Sequence, residues 1–215
     1  MMRRLALLGA GGHGKVVADS ALCAGWQEVV FYDDAWPQVQ SCGPWPVAGN
    51  SEQLRLDMAG FDGVVVTIGN NAIRLDKQRW LQQGGAALVS VVHPAACVSR
   101  YASIGPGSVV MAGAVINIDA HLGQACIINT GATVDHDCQL ADGVHVSPGA
   151  HLSGEVQVGQ ASWIGVGAVV RQGLSIGRSV TVGAGAVVVQ PISEGMTVVG
   201  NPARMLVRRD PSGAL

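Results

Sequence analysis

Aromatic and charged residues are both scarce in this chain: of 215 residues, 4% are Phe, Trp or Tyr and 13% are Asp, Glu, Lys or Arg. A core built on packed rings is thereby excluded, and the 48% hydrophobic content has to be met by small aliphatic side chains. A basic face is missing as well. The formal net charge is -2, and Lys and Arg cluster only in the C-terminal stretch around Arg204, Arg208 and Arg209, so no nucleic-acid partner is expected. Long apolar runs are lacking. The run over residues 5–8 stops at Gly9 with no cleavage pattern behind it, so neither a signal peptide nor membrane insertion is expected, and the cytoplasm is the expected location. The five cysteines are odd in number and without CxxC spacing, which argues against a disulfide framework and a cysteine zinc site.

What is abundant is order at a period of six. From Val98 to Val188 an aliphatic residue returns at every sixth position, among them Ile104, Val110, Ile116, Val134, Val146, Ile164 and Val182. Four places after these stand small or aliphatic residues such as Ala114, Cys126, Ala132, Cys138, Ala150 and Ala168. This period fits neither a helix nor an ordinary strand. It belongs to a parallel β-helix, in which three short faces close a triangular coil and residues three hexads apart stack in neighbouring coils. Cys126 and Cys138 then point inward as small apolar fillers.

Residues 1–94 read differently. Strands are expected over 5–8, 29–32, 64–68 and 87–92, helices over 15–24 and 72–82, and a Pro-, Trp- and Gly-rich loop over 35–50. The alternation implies a small parallel sheet of Rossmann-like α/β type. Pro94 marks the junction, giving an α/β half domain over 1–94 followed by a β-helical domain with a C-terminal tail over 95–215. Gly9-Ala10-Gly11-Gly12-His13-Gly14 matches the dinucleotide fingerprint, with Asp33 at the end of the next strand. Fewer than a hundred residues precede the hexads, so only one mononucleotide-binding half is present, and a nucleotide-sugar is the better ligand. Glycines admit a pyrophosphate to the helix start, and Asp33 or Asp34 can accept from a ribose or base.

Stacking arithmetic then locates chemistry. His136 stands between Asp135 and Asp137, and Gly154, three hexads further on, lies beneath it with an exposed N–H. A thioester carbonyl placed there meets a base and a backbone donor together. Pro148, Val166 and Ala184 form a second column, and His145 and Trp163 a third, which together line a groove suited to an extended pantetheine arm. No two of His121, His136, His145 and His151 are three hexads apart, so no metal site is expected; His121 and His151 are expected at solvated corners.

These residues carry a resemblance. GAGGHGKVV at 9–17, Asp33-Asp34, IGNNAIR at 68–74, VHP at 92–94, INTGATVDHDC at 128–138, GVHVSPGAHLSG at 143–154 and GNPAR at 200–204 are together similar to the hexapeptide sugar acyltransferases of the sialic-acid O-acetyltransferase type, and most of all to the UDP-4-amino-sugar N-acetyltransferases of bacillosamine biosynthesis. The resemblance implies a left-handed β-helix, a homotrimer with active sites between subunits, acetyl-CoA as acyl donor, and a nucleotide-sugar acceptor. It implies His136 as the base, oriented by Asp137 where the family often has Glu. His145 is then a contact to acetyl-CoA, Gly154 the donor to its carbonyl, and Val166 and Ala184 main-chain contacts to pantetheine. Gly11, Gly12 and His13 match the nucleotide-sugar loop, Asp33, Asp34 and Gly69 the nucleotide contacts, and Asn129 a residue near the sugar. Two other readings stand beside this one: an O-acetyltransferase acting on sialic acid or a related sugar, and a non-catalytic trimeric scaffold.

Overall fold

A computed structural model describes residues 2–206; Arg208 and Arg209 of the basic C-terminal stretch lie outside these. The first part of the chain forms β1 (Arg4–Leu8), α1 (Gly12–Cys23), β2 (Glu28–Tyr32), β3 (Ser41–Cys42), β4 (Trp45–Gly49), α2 (Ser51–Asp57), β5 (Gly63–Val66) and α3 (Asn71–Gln83). Its sheet has the order β3-β4-β2-β1-β5, parallel except for β3 against β4. β1 and β5 are unbroken apolar runs because helices and the β-helix cover both faces of the sheet.

Three expectations need correction. Helix α1 starts at Gly12 rather than at residue 15, because the glycine-rich stretch already supplies its first turn. The segment 35–50 is no plain loop: it contains the β3–β4 hairpin, whose Val47 and Gly49 point inward while Pro46 and Ala48 point out. Pro46 obscured that alternation, since proline cannot donate to a ladder and usually argues against a strand. The strand expected over 87–92 is divided between the two folds. Leu88 bridges to Val64 of β5, whereas Val91–Val92 pairs with Val109–Val110 in the first coil of the β-helix.

From there to Val188 each coil contributes one two-residue strand to each of three parallel faces, each in register with the one three hexads later, and a shorter last coil pairs Thr197–Val198 with Thr181–Val182. The docking face runs from Val91–Val92 through His145–Val146 to Thr197–Val199, and its first coils, at Val109 and Ile127, pack against the α/β domain. A second face runs from Cys97–Val98 to Val187–Val188, and its outward residues include Val115, Val169 and Val187. The third, from Ser103–Ile104 to Ser175–Ile176, points Ser103, His121, Gln139, Gln157 and Ser175 outward. In each strand the second residue is the hexad aliphatic and points into the prism, so the interior is a continuous stack of Val, Ile, Leu, Ala and the two cysteines. Burial drives the Cys126 thiol up to about 12, so it stays protonated. His121 and His151 are exposed as expected, but not at corners. Each occupies the outward first position of a strand, bonded to the Ser103 and Thr133 hydroxyls at 2.6 and 2.9 Å.

Truncating a central filler tests this stack. Ile164→Ala, at a fully buried position, is expected to lower the unfolding free energy by about 2–5 kcal/mol, read by urea denaturation.

Candidate active site

Within a coil, the turn after each strand is a corner of the prism, and the expected acyl-transfer residues fall on two corners, with His145 on the docking-face strand beside one of them. At the corner following the second face, His136 Nδ1 is 2.7 Å from Asp137 Oδ2. Asp137 adopts positive φ, which a short carboxylate side chain tolerates in a turn, and its N–H is held by the Ile118 carbonyl at 3.2 Å. Asp135 fixes the other side, accepting the His136 N–H and the Asn117 amide at 2.8 Å each. With Nδ1–H donating to Asp137, the Nε2 lone pair faces outward from an exposed ring. The Asp137 hydrogen bond, with lesser help from the Asp135 and Glu155 charges, holds the His136 imidazole above its ordinary range.

Gly154 lies directly under that ring. A Cβ there would come within 2.5 Å of His136 Cε1 and Nε2, so only glycine lets the imidazole lie in this position. The Glu155 N–H binds the His136 carbonyl at 2.9 Å, while among the described residues the Gly154 N–H has no acceptor.

The second corner follows the docking face. Here Val166 and Ala184 are exposed and stack below Pro148, through Gly167 N–H to the Pro148 carbonyl and Gly185 N–H to the Val166 carbonyl. Beside them, His145 lies flat on Trp163, the rings 5.8 Å apart and 6° from parallel. The Trp163 indole N–H donates to Ser147 Oγ. Asn129 Nδ2 is 3.2 Å from His145 Nε2, and because an amide NH2 only donates, Nε2 is the acceptor and Nδ1 carries the proton. His13, from the first turn of α1, brings its ring within 6.4 Å of His145. Burial, with the nearby Arg74 cation, lowers His145 to about 3 and His13 to about 4, so both rings are neutral at physiological pH. His13 Nε2 is buried and has no hydrogen-bond partner among the described residues. Gly69 at the start of α3 joins His145 and Trp163 in lining a pocket of about 540 Å³.

The nucleotide-loop residues are arranged as follows. Gly11 caps α1, and the N–H groups of Gly11, Gly12 and His13 donate to nothing within the described residues. Asp33 is engaged internally: its oxygens accept the Ala10 and Ala35 N–H groups at 2.7 and 2.9 Å, folding the glycine loop. Asp34 accepts the Ser51 N–H at 2.9 Å and pairs with Lys77 at 2.7 Å. A larger groove of about 740 Å³ runs along the polar third face, and none of the expected site residues lines it.

The sequence reading missed Arg74, the bulkiest side chain in the buried interior. Among the described residues it has no carboxylate partner; its guanidinium binds the carbonyls of Ile68, Gly69, Ala125 and Gly143 and the Asn71 side chain at 2.9–3.2 Å. The polar spacing of Asn71, Arg74 and Gln78 was the available signal, and it reads equally as a solvated helix face.

Comparison with known proteins follows from this geometry. Residues 4–81 match the PglD N-terminal domain family. Over 96% of its length the chain superposes on the whole of the acetyltransferase domain of PglB from Neisseria gonorrhoeae, solved with acetyl coenzyme A, with TM-score 0.91 and 48% identity. The chain belongs to the hexapeptide-repeat sugar N-acetyltransferases. A second member, perosamine N-acetyltransferase from Caulobacter crescentus, solved with CoA and GDP-perosamine, is 37% identical with TM-score 0.91, over 97% of this chain and 99% of that one. UDP-N-acetylbacillosamine N-acetyltransferase of Bacillus subtilis is 38% identical over 121 residues, and that match spans about half of each protein, 52%. The Rossmann-like domain expected from the strand–helix alternation and the left-handed β-helix implied by the resemblance are the fold of this family.

The Asp137 contact yields a direct test. In Asp137→Asn the NMR titration midpoint of the His136 imidazole is expected to fall toward the ordinary histidine value, because the lost carboxylate stabilised the protonated ring.

Proposed function

We propose that this protein transfers the acetyl group of acetyl-CoA to the amino group of a nucleotide-linked 4-amino-4,6-dideoxy sugar, as a homotrimer whose active sites each lie between two chains. The observation that carries the chemistry is His136: its Nδ1–H is held by Asp137, its Nε2 is open, and it lies over a glycine whose N–H is unengaged. In this reading the amine attacks the thioester carbonyl carbon as Nε2 takes its proton. The developing oxyanion receives the Gly154 N–H, the C–S bond breaks, and the imidazolium returns the proton to the CoA thiolate. No acyl-enzyme is needed.

The substrate roles follow the same division of the chain. Val166 and Ala184, whose N–H groups have no acceptor among the described residues, suit an amide-rich pantetheine arm, and His145 flanks it with a neutral ring. The open amides of Gly11, Gly12 and His13 suit a pyrophosphate at the start of α1. Asp33, Asp34 and Gly69 shape the crevice for the nucleoside, and Asn129 stands near the sugar. Relatives support acetyl-CoA and a nucleotide-sugar, the Caulobacter enzyme being solved with GDP-perosamine and the Bacillus enzyme named for a UDP-sugar; a UDP-sugar is the first acceptor to try. We divide the chain at residue 94 into a nucleotide-sugar half and an acyl-transfer half. The unpaired cysteines agree with a cytoplasmic site of action, and no helix among the described residues is long and apolar enough to cross a membrane.

Oligomerisation is supported by the corners. The base and Gly154 stand at one edge of the second face, whereas Val166 and Ala184 stand at the other, beside His145 on the docking face. A single chain therefore holds its acyl-transfer residues and its pantetheine column apart. The face between them is the one that carries Val115, Val169 and Val187 outward, in contrast to the polar third face. Packing that face around a threefold axis brings the first corner of one copy to the second corner of the next.

Three outcomes are expected. Thiol release from acetyl-CoA, with products checked by mass, occurs with a UDP- or GDP-linked 4-amino sugar and not with sialic acid; transfer to sialic acid alone would reassign the acceptor to oxygen. His136→Ala lowers kcat by about 10²–10⁴-fold with acetyl-CoA binding retained, while Gly154→Ala, which displaces the imidazole, lowers kcat in a protein that still assembles as a trimer by light scattering.

A further inference from the structure

Helix α3 meets the β-helix at the corner between its third and docking faces, through a polar face. Asn71 Nδ2 donates to the Ala161 and Ser162 carbonyls at 3.1 Å, Arg74 to the Ala125 and Gly143 carbonyls at 2.9 Å, and Gln78 Nε2 to the Pro106 carbonyl at 2.9 Å. These carbonyls belong to four successive coils. One face of an α-helix recurs about every 5.4 Å, close to the roughly 4.8 Å pitch of stacked strands, so side chains one turn apart meet coils one step apart. Such a match has an ambiguity built in, because the corner repeats once per coil and a shift of one coil would present equivalent carbonyls.

The repeat alternates in side-chain size from one coil to the next. The residues at this corner are Gly107, Ala125, Gly143 and Ala161, all at positive φ. The Gln78 amide fills the space that a side chain at Gly107 would take, and any Cβ there would overlap it. Sliding the helix by one coil would set Gln78 against the methyl group of Ala125. We infer that Gln78 seated in the Gly107 notch fixes the coil register in which the N-terminal domain docks, and that these two are positioning residues for the nucleotide-sugar. Through Arg74, which ties the Ile68 and Gly69 carbonyls to the same coils, this register determines the height at which Gly69 and the α1 loop face His145 and Trp163. The acetyl-CoA residues all belong to the β-helix itself and do not depend on it. The kinetic consequence rests on the function proposed above; the register does not.

The test is a double-mutant cycle of Gly107→Ala and Gln78→Ala. Alanine is accommodated at Ala125 and Ala161 with φ of 55° and 58°, so the substitution at 107 introduces chiefly the overlap with Gln78. Gly107→Ala is expected to raise KM for the nucleotide amino-sugar on the order of 10-fold or more and to leave KM for acetyl-CoA unchanged. Adding Gln78→Ala, which empties the notch, is expected to restore most of the loss. Hydrogen–deuterium exchange over residues 68–81 should rise in the single variant and return in the double, a readout that needs no turnover. If exchange behaves so while wild-type protein acetylates no nucleotide-sugar, the function fails and the register stands. An unaltered exchange pattern and KM in Gly107→Ala, or a double variant as impaired as the single, would overturn the inference. Should Gly107→Ala not fold, recovery of folded protein by Gln78→Ala supports it and failure to recover overturns it.

Discussion

Everything in this molecule hangs on the hydrogen bond between a backbone N–H and the carbonyl one coil below it. Those bonds run along all three faces, and through the hexad array each strand pairs in register with the one three hexads later, so the height of any residue there and the corner it occupies follow from its number. The interior can then be made of small side chains, because each needs to fill only one layer of a narrow triangle. The exterior inherits the same lattice. Gly154 lies under His136, Ala184 under Val166 and Trp163 under His145 for no other reason than that three hexads separate each pair.

In the proposed assignment the lattice also divides the site. A turn can display an open N–H or a lone imidazole, but residues on two corners of one rigid prism cannot approach one another. His136 and Gly154 on one side, and His145 with the Val166 column on the other, are joined only if a neighbouring copy supplies the missing edge. The apolar outward residues of the face between them give that association a driving force. Charge is distributed with the same economy. Burial, with Arg74 beside them, keeps the His13 and His145 rings neutral, whereas the Asp137 hydrogen bond makes His136 the basic imidazole among the three.

Much of this was legible in advance, and the reason is periodicity. The inward positions, the filler cysteines, the stacking of Gly154 on His136 and the His145–Trp163 column follow from counting. Where counting ends, legibility falls. The β3–β4 hairpin was hidden by Pro46, and residues 87–92 read as one strand although Leu88 and Val91 serve different sheets. His121 and His151 were given corners because their outward direction was recognised but not their place on a strand. The carbonyl contacts of Arg74 and Gln78 could not be read, since a polar helix face contacting carbonyls has the same sequence pattern as one contacting water. Asp33 and Asp34 were read as ligand acceptors, and the bonds they make to Ala10, Ala35, Ser51 and Lys77 depend on loop geometry that no local pattern encodes.

The shared site is the central claim, and subunit complementation addresses it most directly. His136→Ala and His145→Ala homotrimers, each deficient alone, would be mixed in equal amounts under conditions that exchange subunits. If every site takes its base from one chain and its His145 corner from the next, random reassortment restores wild-type composition to about a quarter of the sites, and acetyl transfer recovers to about that level. A mixture no more active than its two components, with subunit exchange demonstrated, would place the whole site on one chain and contradict the account.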